Sequence, residues 1–251
     1  MIVLLLALLP MAETREEAVE AVAQEGAPRD WDVGLTIYGW LIGFDVEVDG
    51  ERIQADFGDV LEYVNAGGMF RLTGRWKRWT GYVDYLFADL GDSGAIGPGS
   101  GRIDIDQHNI DFRIGYIVYR DEGAPGVDVI VEAGGRWWYT KTAVTIEFPP
   151  LLPGRPGIRE EFRDTSQWFD LLVGVRVRWR LAEWLVFSAH ANVGGFGLGE
   201  SSDYAWDVGF VFNIRLARYL SLPIGYRALQ YERNEIKNTL QGPIIGISIV
   251  F

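Results

Sequence analysis

Gln241-Gly-Pro-Ile-Ile-Gly-Ile-Ser-Ile-Val-Phe251 alternates with a period of two. Extended backbone sends successive side chains to opposite faces. Ile245, Ile247, Ile249 and Phe251 therefore share one face, and Gly246, Ser248 and Val250 share the other. A helix would spread these isoleucines around its axis. The stretch reads as one strand, apolar on one side and small on the other.

The same period recurs upstream from Trp31, interrupted by turn chemistry. Nine further strands are expected at about 32–48, 67–77, 79–91, 102–120, 126–147, 158–180, 183–197, 203–216 and 219–232. Apolar and aromatic side chains hold one face, as with Phe70, Leu72 and Trp76, or Leu171, Val173 and Val175. The other face collects the charges: Arg71, Arg75, Asp84, Asp111, Arg113, Asp128, Glu132, Arg136, Asp170, Arg176, Asp207 and Arg227. Ten strands with their charge on one side predict an all-β chain, a closed antiparallel transmembrane β-barrel with an apolar outside and a polar lumen. Eight or twelve strands would follow if 51–57 paired independently or a hairpin folded back.

The connections divide into two kinds. Those at 77–80, 121–126, 180–183 and 216–219 are short, and those at 49–66, 92–101, 148–157, 194–202 and 233–240 are generally longer. Strict alternation is the pattern of periplasmic turns and outward loops, and an even strand number leaves both barrel ends in the periplasm. Trp76, Trp79, Tyr119, Trp179, Trp184, Tyr219 and Phe251 all fall at the short-turn end, where they predict an aromatic girdle at one membrane interface. The strands at 126–147 and 158–180 exceed the roughly 9–11 residues a tilted span needs, so their surplus is expected to stand above the membrane as an extended hairpin. Asp59-Val-Leu-Glu62 has capping-box spacing and predicts a short helix over 59–65 in the first long connection, either a surface helix or a lid over the lumen.

Composition agrees. A chain of 251 residues suits one barrel, and its 31 glycines and 14% aromatic content fit a strand-built wall. The only long apolar run, Ile2 to Leu9, is too short to span as a helix, which needs about 20 residues. The absence of cysteine fits an oxidising envelope. A net charge of −12 argues against nucleic acid, since no basic stripe is available for phosphates. Residues 1–23 are expected to be a signal peptide and processing region, cleaved after Ala12 or Ala23, although no Lys or Arg precedes the apolar core. A short buried helix is the alternative. Residues 24–30 would be a periplasmic lead-in, with the barrel spanning 31–251.

The charged lumen admits two readings. Opposite charges can pair across it as struts, because unpaired ions in a narrow, partly dry interior are costly. Alternatively the same lining makes a narrow channel passing small polar solutes. An enzyme has one foothold: Ser188 and His190 lie two apart on one strand, with Asp170 on its neighbour, the side-chain types of a hydrolytic triad. No Gly-x-Ser-x-Gly elbow accompanies them, and no catalytic role is assigned. With only His108 and His190 and no cysteine, neither a zinc nor a haem site is expected, and Asp104 with Asp106 reads as a solvated strand face before a calcium site. No cofactor is expected.

Ile37-Tyr-Gly-Trp40, Phe57-Gly-Asp-Val-Leu61, Gly194-Gly-Phe-Gly197, Gly225-Tyr-Arg227 and Gly242-Pro…Phe251 together resemble a group of proteobacterial outer-membrane proteins described as porin-like barrels. The resemblance covers about 31–251 and implies a fold and a place, the outer membrane of a Gram-negative bacterium. It carries no catalytic residue. It implies that Phe251 is similar to the terminal aromatic read by the barrel-assembly machinery, which with outer-membrane lipid becomes an expected partner. The function expected is a porin-like or structural barrel. A lipid or peptide hydrolase and a surface adhesion barrel acting through 92–101 and 148–157 are the alternatives.

Overall fold

The structure, a computed structural model, describes residues 30–48, 51–55, 58, 64–96, 99–121, 123, 125–149 and 157–251. The expected signal peptide, its cleavage sites and all of the lead-in except Asp30 lie outside the described residues, as do 59–63 of the expected helix. The strands are β1 (Trp31–Trp40), β2 (Gly43–Val48), β3 (Glu51–Ala55), β4 (Val64–Trp76), β5 (Trp79–Ile96) and β6 (Gly99–Arg120). They continue with β7 (Gly126–Phe148), β8 (Ile158–Ala182), β9 (Leu185–Gly195), β10 (Tyr204–Arg215), β11 (Leu220–Arg233) and β12 (Ile236–Val250). β4 to β12 pair in chain order and β1 pairs with both β4 and β12, so ten antiparallel strands close the barrel.

The seam explains the two extra strands. β1 runs along β12 from Gly34↔Val250 to Trp40↔Ile244, and β2 resumes on β12 with the same offset from Gly43↔Gln241. The gap at Leu41 and Ile42 lies opposite Pro243. Leu41 donates its N–H to the Pro243 carbonyl at 2.9 Å, but proline has no N–H to return, and the ladder breaks there. The expected strand at 32–48 is thus one line of pairing cut in two. β3 folds back on β2 as a hairpin and takes no place in the closed wall.

Several expected boundaries need correction. The connections expected at 92–101 and 233–240 are mostly strand: β5 and β6 stay paired out to Ile96↔Gly99, and β11 meets β12 at Arg233↔Ile236. The glycines and serines of the first and the polar residues of the second sit on ladders already fixed further down, which extend without apolar burial. Asn234 and Glu235 turn the second hairpin with φ of 52° and 67°, the two positive values of a type I′ turn. At the helix expected over 59–65, Val64 and Asn65 already belong to β4.

The outward faces are apolar and exposed around the wall, among them Ile37, Leu72, Ile114, Val173, Phe210 and Ile247. Such a continuous belt far exceeds the few hundred Å² of apolar patch that a water-soluble monomer shows. Trp76, Trp79, Trp179, Trp184, Tyr219 and Phe251 are exposed at the short-turn end. The buried residues face inward, so the core of this molecule is its lumen.

Candidate functional site

Pairing register brings the inward charges into rows. Arg71, Asp84, Asp111, Arg136 and Asp170 stand side by side on β4 to β8, each directly opposite the next. Asp84 accepts hydrogen bonds from Tyr38 Oη and from Arg71 Nη2 at 2.7 Å. Arg136 holds Asp111 through Nε at 2.9 Å and reaches across the lumen to Asp207. Arg113 closes on Asp111 from its own strand. From the far wall, Arg227 donates to Asp207 at 3.0 and 2.7 Å. Arg176 pairs with Glu132 at 3.0 Å.

Burial makes this network consequential. Arg113, Arg136, Asp111 and Asp207 are each 2% exposed or less. A buried ion costs several kcal/mol unless its partners satisfy it, and here Asp111 and Asp207 each receive at least two charged donors. Across the layer, Arg71, Arg113, Arg136, Arg176 and Arg227 face Asp84, Asp111, Glu132, Asp170 and Asp207, a balanced set. Balance of this kind is what struts require.

Outward of the ions lies an aromatic layer. Trp138 and Trp168 stack at 5.3 Å, and Tyr231 tilts against both at 4.9 and 5.4 Å. Tyr38, Trp40, Met69, Leu229 and Ile244 pack into the same cluster. Asp170 belongs to its floor: it accepts from Trp138 Nε1 at 3.0 Å, and from the backbone N–H and Oγ of Ser202 at 2.7 and 3.0 Å. Ser202 sits in the β9–β10 connection, which folds in over the lumen through positive φ at Gly195, Phe196, Gly197 and Gly199. Ions and rings together fill the middle and outer lumen. On the short-turn side a cavity of about 730 Å³ remains, lined by Asp32, Arg75, Asp128, Arg178, Ser188 and Ser221 among others, and ending against Tyr38, Arg71, Arg113 and Arg227.

The structure does not assemble the candidate triad. Strand β9 pairs with β8 only as far as Leu171↔Gly195, so Asp170 lies beyond its end, while His190 stands opposite Arg176. His190 Nε2 instead lies 3.3 Å from Asp207 Oδ1, and among the described residues no hydrogen bond joins it to Ser188. Gly209, directly opposite on β10, leaves room for the imidazole, since a Cβ there would come 2.8 Å from His190 Cε1. Asp104 and Asp106 each have a cation, Arg102 at 2.8 Å and Lys141 at 3.9 Å.

Sequence alternation singled out the inward charges, yet it missed Asp32, Arg120, Arg178 and Arg180, which also face the cavity. It also missed Trp168 and Ser202. The period of two from Arg176 was signal enough for Arg178 and Arg180, whereas Arg120 is turned inward by the register shift between Ile117 and Tyr119, which alternation does not show. Ser202 lies in a connection and had no such signal.

Beyond the membrane, β5 to β8 continue as a projecting sheet, with β7 and β8 running 23 and 25 residues. Its outer face carries ion pairs, including Arg163–Glu161 at 2.7 Å and Arg159–Glu147 at 3.1 Å. The hydrogen bond from Arg102 holds the Asp104 carboxyl below its usual range, and that from Arg163 does the same for Glu161.

An even-stranded, closed antiparallel barrel with an apolar wall and polar lumen defines the class: an integral β-barrel of the bacterial outer membrane. Neither the protein-family models nor the curated proteins gave a match to this sequence. Among solved structures the chain is similar to Ail, the attachment invasion locus protein of Yersinia pestis, at 10% identity and a TM-score of 0.39, covering 89% of this chain and 100% of that one. It is also similar to the translocator domain of the autotransporter NalP from Neisseria meningitidis, at 15% identity and a TM-score of 0.40, covering 94% of each. Neisserial surface protein A matches at 10% identity and a TM-score of 0.32, over 88% of this chain and 97% of that one.

Proposed function

We propose that this protein is a non-conducting outer-membrane barrel that serves as a structural carrier for the β5–β8 sheet at the cell surface. The observation behind this reading is the filled lumen: Asp111, Arg136, Asp207 and Trp138, all 2% exposed or less, meet across its middle. A solute crossing it would have to break several charge-assisted bonds at once, which disfavours the porin-like alternative. The longest strands, β5 to β8, carry a charged outer face to the exterior, so recognition at the cell surface falls to strands as well as to loops. Lipid around the apolar wall and the barrel-assembly machinery are its expected partners.

The purified, refolded protein inserted in a planar bilayer tests this. No conductance steps are expected from the intact chain. Regular steps whose ion selectivity changes in Arg113→Ala or Arg136→Ala would overturn the reading and restore a pore.

A further inference from the structure

The upper ion layer is balanced, but the mouth of the cavity below it is not. Asp128, on β7, is approached by three guanidinium groups: Arg180 Nη1 at 3.1 Å, Arg120 Nε at 3.3 Å and Arg178 Nη2 at 3.6 Å. Arg120 and Arg180 have second anchors in the carbonyls of Lys77 and Asp121. Among the described residues Arg178 has none: its ion pair with Asp128 is beyond hydrogen-bond reach, and its side chain is 34% exposed to the cavity. Arg218, in the β10–β11 turn, also lines the mouth with no ion pair among the described residues. Among the described residues the lining at this end holds six arginines (Arg75, Arg120, Arg178, Arg180, Arg215 and Arg218) against three carboxylates (Asp32, Asp128 and Glu183), in a chain whose net charge is −12.

We propose that this lower lumen binds a small soluble oligoanion, one carrying two or more phosphate or carboxylate groups, that enters from the short-turn side. Planar guanidinium forks match such oxygens in bidentate fashion, and Arg178 makes no hydrogen bond among the described residues. Ser188, directly opposite Arg178, and Ser221 add neutral donors to the lining. The cavity's volume of about 730 Å³ falls within the usual range for small-molecule sites. It lies inside the ring of strands, away from the lipid-facing wall, so a soluble anion fits it and a bilayer headgroup does not. Struts alone have no need of excess cations, since unneutralised guanidinium groups repel one another across the mouth.

Isothermal titration of pyrophosphate into the full chain, folded in zwitterionic detergent at low salt, tests the proposal. Saturable one-to-one uptake is expected, weakening as salt rises. It should fall about tenfold or more in Arg178→Gln with Arg218→Gln, and be largely retained in Arg178→Lys. Heat-modifiable gel mobility reports whether each variant is folded. If the double variant does not fold, Arg178→Gln alone serves. The proposal is overturned if the intact protein takes up no pyrophosphate, or if Arg178→Gln binds as tightly as the parent. Neither outcome bears on whether the lumen conducts.

Discussion

Asp84 and Asp111 stand directly opposite one another on β5 and β6, both turned into the lumen. Like charges in that relation repel, and burial magnifies the repulsion. Arg227 of β11 resolves it from across the barrel, lying 3.7 Å from Asp84 and 3.6 Å from Asp111 while donating to Asp207. Arg227→Met should therefore destabilise the barrel by about 3–5 kcal/mol, the range for breaking a buried pair. Adding Asp84→Asn to that variant should recover part of the loss by removing one of the opposed carboxylates. Urea unfolding in detergent, followed by tryptophan fluorescence, measures both. Simple additivity of the two substitutions would contradict the coupling.

The bilayer boundary can be read from one strand. Val173 points outward on β8, six residues from Trp179 of the girdle. At about 3.3 Å per residue and a tilt near 40°, that places it roughly 15 Å from the short-turn interface, close to the middle of the apolar band. Gln167, twice as far along the same face, lies near or past the outer interface. Val173→Arg should cost about 2–4 kcal/mol in lipid vesicles and Gln167→Arg about 0–1 kcal/mol. Equal costs at the two positions would mean that the membrane sits elsewhere on the wall.

Much of the wall was legible in the alternation because each outward side chain answers to lipid alone, whatever its neighbours. Ile245, Ile247 and Ile249 need no partner to declare their face. The lumen was legible only in part. Sequence could place Arg227, Asp207 and Arg136 inside, but which ion meets which depends on strands far apart in the chain, such as β7 and β10. Asp170 shows the limit: its period put it with the charges, while its partners, Trp138 and the Ser202 backbone, come from a ring and a folded-in turn. The misread boundaries have a similar cause. Polar, glycine-rich residues at 92–101 resemble a loop locally, and only pairing inherited from the neighbouring span makes them strand.

The β11–β12 turn carries removable strain. Glu235 holds a φ of 67°, a region that costs a residue with a Cβ roughly 1–2 kcal/mol. Asn-Gly is the preferred pair for such a turn. Glu235→Gly should raise stability by up to about 1 kcal/mol, part of the relief being offset by glycine's greater freedom when unfolded. A loss of stability by the same urea assay would show that the Glu235 side chain makes a contact outweighing its backbone strain.

The projecting sheet is expected to be separable from the barrel that carries it. Thr142 and Asp164 face each other across β7 and β8, inside the projection and outward of the Trp138–Trp168 stack. Joining them by an Asn-Gly turn removes 143–163 while keeping the register below. The ion pairs lost, Arg163–Glu161 and Arg159–Glu147, are exposed to solvent, where water and salt screen such pairs and leave them little weight in stability. The lumenal network keeps every partner, because none of its ions comes from the excised residues. The shortened protein should fold to a heat-modifiable barrel, with a urea midpoint lowered less than by Arg227→Met. Failure to fold under conditions that refold the full chain would show that the outer strands are needed to set the register of the wall, and that the sheet is part of the barrel's structure as well as its display.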